Sequence, residues 1–119
     1  MMLLAFGLVL GLTSFLWAQE SENDFVLVNK TGYVLDKVFV SPTKAEEWGE
    51  DIMGQDVLND GDQVKIKFHP KAATGLYDLK VVYKDDNSSA VWVGYDLSKI
   101  TKITIHYDKA KDVTTAEVE

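Results

Sequence analysis

The sequence contains no cysteine and no arginine, and each absence excludes a class of function. Without cysteine, the chain has no disulfide, no thiolate metal site and no cysteine nucleophile. All 12 basic residues are lysines, and the 19 acidic residues give a net charge of −7. Because phosphate binding requires a basic surface, we expect neither a nucleic acid nor an anionic membrane surface as a partner.

The first 18 residues carry no charged side chain and are almost entirely apolar. Such a stretch predicts a secretory signal peptide, although it has no basic start and Leu16 is a poor match at the −3 position. Ala18 offers a small residue for cleavage before Gln19. The alternative is an uncleaved anchor, for which about 17 apolar residues is the lower limit. We expect a signal peptide over residues 1–18, one domain over 19–119 without a membrane span, and a periplasmic or secreted location.

From residue 24 onward, the sequence has the pattern of a β protein. Apolar and polar side chains alternate over residues 63–68, 77–84 and 102–107, which places one face of each strand on a core. Further apolar runs cover residues 25–28, 33–40 and 90–97. Turn-forming residues separate the runs. The pattern predicts an all-β, antiparallel β-sandwich, Ig-like, with six to seven strands.

Four local features refine this prediction. Asp36-Lys37 interrupts its apolar run, which indicates a β-bulge or a crossing between the sheets. The run at 90–97 is apolar on both faces, as in a central strand. Residues 113–118 can return as a hairpin partner of the preceding strand. Near residues 43–48, Thr43 and Glu46 fit a capping box, so we expect a short helical turn with Trp48 packed on the core.

Short motifs follow one another in a fixed order along residues 25–107. They are Asn29-x-Thr31-Gly32, Ser41-Pro42, Trp48-Gly49-x-Asp51, the Gly61 turn, Tyr77-Asp78-Leu79, and Trp92 ahead of Asp96-Leu97. In this order the chain resembles a group of small exported bacterial β-sandwich proteins of uncharacterised function. The resemblance implies export and the fold, and it implies no reaction.

Four aspartates form the first candidate site. Asp51, Asp56, Asp60 and Asp62 lie within twelve residues, and oxygen ligands of this kind suit Ca²⁺. The EF-hand pattern fails, however, because Leu58 occupies a ligand position when the loop is counted from Asp56. Aspartate is also a common turn residue. The four residues are therefore either turn formers or a Ca²⁺ site, and we expect no other cofactor.

Two tryptophans form the second candidate site. Trp92 lies between Ala90 and Gly94, so an outward indole offers a flat platform for a sugar ring or for an apolar side chain of a partner protein. The alternative is that Trp92 fills the core, and for Trp48 a packing role is favoured over ligand binding.

Catalytic motifs are scarce. The two histidines, His69 and His106, have no evident third metal ligand, and no G-x-S-x-G sequence occurs. We therefore expect a non-catalytic binding or protein-interaction module with an unknown protein or carbohydrate partner. The alternatives are a Ca²⁺-binding β-sandwich and a small extracytoplasmic hydrolase. Residues 25–28 or 113–118 could also add an edge strand to a partner.

Overall fold

The computed structural model describes residues 21–119, so the predicted signal peptide over residues 1–18 lies outside the described residues. The strands are β1 (Phe25–Lys30), β2 (Leu35–Pro42), β3 (Gln63–Ile66), β4 (Leu76–Tyr83), β5 (Ser89–Asp96), β6 (Lys102–Asp108) and β7 (Val113–Val118). One 3₁₀ turn, Leu97–Lys99, joins β5 to β6. Within residues 21–119, no helix is long and apolar enough to cross a membrane.

The strands form two sheets, which confirms the predicted β-sandwich. One sheet has the order β3-β1-β6-β7 and the other has the order β2-β4-β5. Strands β1 and β6 are parallel, whereas the other paired strands are antiparallel. Immunoglobulin constant domains have the orders A-B-E-D and C-F-G. The likeness to that fold therefore lies in the two-layer architecture and not in the strand order.

Both sheets contribute to one hydrophobic core, as the alternating pattern predicts. Tyr77, Leu79 and Val81 of β4 are buried in this core. Ile103 and Ile105 of β6, which belongs to the other sheet, are fully buried in the same core. The intervening residues of β4 point to the outer face because side chains alternate across a strand. The periodicity of the sequence thus sets which face of β4 and of β6 contacts the core.

Two sequence-based predictions about strand pairing are confirmed. The register between β2 and β4 shifts between Leu35 and Lys37, where the sequence predicts a bulge. Strand β7 pairs with β6 as an antiparallel hairpin, with Asp108 opposite Val113.

The loop that precedes β3 covers the outer edge of β2. Leu35 and Leu58 exchange two backbone hydrogen bonds of 3.0 and 2.9 Å, and the N–H of Ile52 donates to the carbonyl of Val38 at 2.8 Å. Asp51 completes the contact, because its Oδ1 accepts the N–H of Val38 at 3.0 Å. On this edge of β2, the backbone groups of Leu35 and Val38 therefore have partners within the chain.

The short helical turn predicted near residues 43–48 is wrong. The chain makes a turn in which the N–H of Ala45 donates to the carbonyl of Pro42, and the segment then continues as bends. Thr43 does not cap a helix because its groups have other partners. Its N–H donates to the carbonyl of Leu76 at 2.9 Å and its hydroxyl donates to Asp78 Oδ1 at 2.6 Å.

The positions of two strands within the sheets also differ from the expectation. The run at 90–97 does not form a central strand, since β5 lies at a sheet edge with Val91 49% and Val93 69% exposed. Residues 25–28 cannot offer a free edge, because β1 lies between β3 and β6. Residues 113–118, in contrast, do form an edge strand, β7.

Candidate functional site

Three tyrosines meet in a cavity at one end of the sandwich. The cavity has a volume of about 430 Å³, and we call it the tyrosine pocket. Its walls come from the β1–β2 connection, the β4–β5 hairpin and the β6–β7 hairpin, so both sheets contribute. It is lined by Tyr33, Tyr83, Asp85, Asp86, Ser88, Ser89, Ala90, Tyr107, Asp112 and Thr114.

The three rings pack edge to face. The ring centres of Tyr33 and Tyr83 lie 6.2 Å apart at an interplanar angle of 89°. The centres of Tyr33 and Tyr107 are 5.6 Å apart at 81°, and those of Tyr83 and Tyr107 are 6.0 Å apart at 64°. Edge-to-face contacts are favourable because the positive edge of one ring meets the negative face of another. The rings therefore hold one another in steeply inclined planes, and the plane of Tyr33 is nearly perpendicular to those of the other two.

Tyr33 is positioned by a buried polar network in the turn after β1. Asn29 is fully buried, and its Nδ2 donates to the carbonyls of Tyr33 at 2.8 Å and of Leu58 at 2.9 Å. Its Oδ1 accepts the N–H and the hydroxyl of Thr31, at 3.0 and 2.7 Å. A buried polar group that is fully hydrogen-bonded specifies one local conformation. The Asn29-x-Thr31 motif thus fixes the turn that carries Tyr33.

The other two tyrosines are held through their hydroxyl groups. The Tyr83 hydroxyl lies 2.8 Å from Thr114 Oγ1, which links β4 of one sheet to β7 of the other. Tyr107 donates to Asp112 Oδ1 at 2.7 Å. This hydrogen bond, together with burial and the negative charge of Asp112, raises the pKa of Tyr107 to about 12. Both rings stay neutral near pH 7, since burial also raises the pKa of Tyr83.

Three carboxylates give the tyrosine pocket a negative charge. Asp85, Asp86 and Asp112 line it, and no lysine is among its lining residues. Hydrogen bonds from the hydroxyl and the N–H of Ser88, at 2.7 and 3.0 Å, lower the pKa of Asp86. Asp86 therefore remains ionised over a wider pH range than a free aspartate.

Neither of the two tryptophans predicted to bind a ligand lines the tyrosine pocket, and the two lie on opposite faces of the three-stranded sheet. Trp92 is partly buried and packs against the core, so it faces inward and does not form an outward platform. Trp48 lies against Phe39, with ring centres 6.2 Å apart, and the ammonium group of Lys80 is 6.0 Å from the Trp48 ring. Phe39 and Lys80 are cross-strand neighbours with alternation opposite to that of the core residues, which places Trp48 on the outer face. The expectation that Trp48 packs on the core is therefore wrong.

The four aspartates predicted as a Ca²⁺ site do not converge. Asp51 Oδ1 accepts the N–H groups of Val38 and Met53, both at 3.0 Å. Asp60 Oδ1 accepts the N–H of Gly32 at 2.8 Å. Asp56 and Asp62 line a wide, open depression of about 650 Å³. Over residues 21–119, no three histidine, aspartate or glutamate side chains come close enough to hold a metal ion.

The two histidines contact different parts of the chain and share no partner. His69 Nδ1 accepts the N–H of Lys71 at 3.0 Å in an exposed turn. His106 Nε2 lies 3.3 Å from Glu117 Oε1, across the β6–β7 pair. Both contacts lie at the solvent-exposed surface, and neither histidine lines the tyrosine pocket.

No family model, curated protein or solved structure matches this chain.

The residues of the tyrosine pocket were missed by sequence reasoning. Tyr33, Tyr83 and Tyr107 are separated along the chain and no motif relates them. One signal was present: Tyr83 and Tyr107 each end an alternating apolar series just before an aspartate-rich turn. Two adjacent hairpins with this pattern would place tyrosines and aspartates at the same end of a sandwich.

Proposed function

We propose that the protein is an exported, non-catalytic binding module whose ligand-binding site is the tyrosine pocket. The observation that carries this proposal is the cavity of about 430 Å³ with three aromatic walls and a few convergent polar groups. Small-molecule sites typically have volumes of about 300–1,000 Å³ and this kind of lining.

The positions of the pocket residues support a role in recognition. Its aromatic rings are fixed by contacts between both sheets, so a ligand would meet preorganised walls. Preorganisation favours affinity because little side-chain freedom is lost on binding. The apolar stretch over residues 1–18, together with the resemblance to exported bacterial proteins, supports a periplasmic or secreted location.

The experiment is an NMR screen of the protein recovered after export, whose measured mass also shows whether it begins at Gln19. A mixture of small neutral, cationic and anionic compounds is added to the isotope-labelled protein. We expect the amide shift changes to cluster at Tyr33, Tyr83 and Tyr107. Binding of compounds elsewhere on the surface, with none at these residues, would contradict the proposed site.

A matched pair of variants separates the pocket from the rest of the surface. Ser89 is exposed and lines the pocket, so Ser89→Trp should fill its mouth and abolish the shift changes. Thr115 is exposed on β7 and is not among the lining residues, so Thr115→Trp should leave them unchanged. Equal effects of the two variants would count against the tyrosine pocket.

A further inference from the structure

Building on the proposed function, we infer that the tyrosine pocket binds an organic cation, an alkylated ammonium compound, between its tyrosine rings and its carboxylates. The proposed binding function alone specifies neither the charge nor the chemical class of the ligand. The electrostatics of the rings and of the pocket rim favour this class of ligand.

The arrangement of the rings favours a cation. The face of an aromatic ring carries partial negative charge and attracts a cation within about 6 Å of the ring centre. All three rings line the same cavity, and their centres lie between 5.6 and 6.2 Å from one another. Because the rings contact one another edge to face, an ammonium group would lie beside the three-ring cluster, against the ring surfaces that line the cavity, and not between two rings. Several aromatic walls in different planes are the arrangement that proteins use to recognise quaternary ammonium groups.

The charge around the rings also favours a cation. Asp85, Asp86 and Asp112 supply three carboxylates to the same cavity. Asp112 is held by the Tyr107 hydroxyl at 2.7 Å and Asp86 by the Ser88 hydroxyl at 2.7 Å, so both are fixed in place. Lysines occur in the flanking turns, at Lys84, Lys109 and Lys111, but they do not line the cavity.

The spacing of the carboxylates favours an organic cation over a metal ion. Ca²⁺ takes six to eight oxygen ligands at short distances. Over the part of the chain that the structure describes, no three acidic or histidine side chains converge in that way. Alkylated ammonium groups are larger and more weakly hydrated than metal ions. Contacts with aromatic faces therefore stabilise them, as oxygen ligands stabilise a bound metal ion. The cavity of about 430 Å³ also accommodates a multi-atom ligand.

The experiment compares choline with its neutral carbon isostere, in which a tert-butyl group replaces the trimethylammonium group. Both compounds are titrated into the exported protein and followed by NMR at the pocket amides. We expect choline to bind at Tyr33, Tyr83 and Tyr107 with about tenfold higher affinity than the isostere, since a cation–π interaction of about 1–2 kcal/mol corresponds to such a ratio.

Variants of Tyr107 test the role of the ring itself. Tyr107→Leu removes the aromatic face and should weaken choline binding about tenfold, whereas Tyr107→Phe keeps the face and should stay within about twofold of the unmodified protein. Asp86 is exposed, so Asp86→Asn should preserve the fold while weakening choline binding and not binding of the isostere. An equal loss with Leu and Phe at position 107 would overturn the role of the ring.

The outcomes distinguish this inference from the binding proposal. Equal affinity for choline and the isostere at the pocket refutes the cationic ligand and leaves the binding module intact. The same holds if neither compound shifts the pocket amides while only neutral or anionic compounds in the screen do. If no compound of any charge shifts those amides, both proposals fail.

Discussion

Tyr107 shows how one hydrogen bond fixes both the position and the charge of a pocket wall. The phenol donates to Asp112, and a hydrogen bond donated by the neutral form stabilises that form, so the pKa rises to about 12. A pKa raised above the ordinary value of 10.0 makes a contribution to folding that is present below pH 10 and is lost as the pH rises through about 12.

We therefore predict that Asp112→Asn lowers the pKa of Tyr107. Asparagine keeps the side-chain shape and tolerates the positive φ of 53° at this position, but it removes the negative charge. The tyrosinate absorbance is titrated with base in the unmodified protein and in Asp112→Asn. Tyr107→Phe identifies the contribution of that residue.

Asp108→Asn is the matched control because Asp108 lies in the same turn and its Oδ1 accepts the N–H groups of Ala110 and Lys111. Its titration curve should overlay that of the unmodified protein. If the Asp112→Asn curve also overlays it, Asp112 does not control the ionisation of Tyr107.

Single residues also show which parts of the site the sequence could predict. Trp92 and Trp48 attract attention because tryptophan is rare, yet one contacts the core and the other a neighbouring phenylalanine. The burial of a tryptophan depends on the phase of its strand, and a strand that is apolar on both faces does not reveal its phase. The tyrosine pocket depends on which hairpins are adjacent, and no local pattern contains that information.

At the scale of the elements, the strands were predictable and their order was not. Period-two alternation located β4 and β6 because one face of each is buried. The same reasoning placed β5 at a sheet centre, although it lies at an edge with Val91 and Val93 exposed. Central and edge strands differ in which neighbours pair with them, and neighbours are distant in sequence.

Asp51 carries the contact between the β2 edge and the loop before β3, and we predict that Asp51→Ala destabilises the protein by about 1–3 kcal/mol. The alanine would leave the N–H groups of Val38 and Met53 without their carboxylate acceptor. Asp51→Asn keeps an acceptor oxygen and should lose less. Denaturant unfolding measures the difference in the free energy of unfolding.

Asp56→Ala is the control, because Asp56 is exposed and its removal should change the free energy of unfolding by less than about 0.5 kcal/mol. The measurements are made once with Ca²⁺ and once with EDTA, and we expect the same values in both. A loss shared by the Asp51 and Asp56 variants that occurs only with Ca²⁺ would establish a metal site instead.

At the scale of the whole molecule, a chain without cysteine depends on one shared core for its stability. Inward residues of the four-stranded and three-stranded sheets belong to a single cluster, and the Tyr83–Thr114 contact joins the sheets at the pocket. The tyrosine pocket is therefore built from the same contacts that hold the layers together. A ligand bound there would stabilise both layers, since it would bind the folded state alone.

This dependence predicts that a cavity in one sheet unfolds both sheets together. Ile105 of β6 is fully buried, and Ile105→Ala should lower the free energy of unfolding by about 2–5 kcal/mol. Trp48 and Trp92 both contact the three-stranded sheet, so their fluorescence reports on the sheet that does not contain Ile105. Circular dichroism reports on all strands. We expect both signals to shift to the same lower midpoint, as two-state unfolding requires.

Val113→Ala, at an exposed edge position, should shift neither signal appreciably. A fluorescence midpoint that stays in place while the circular dichroism midpoint falls would show that the two sheets unfold separately.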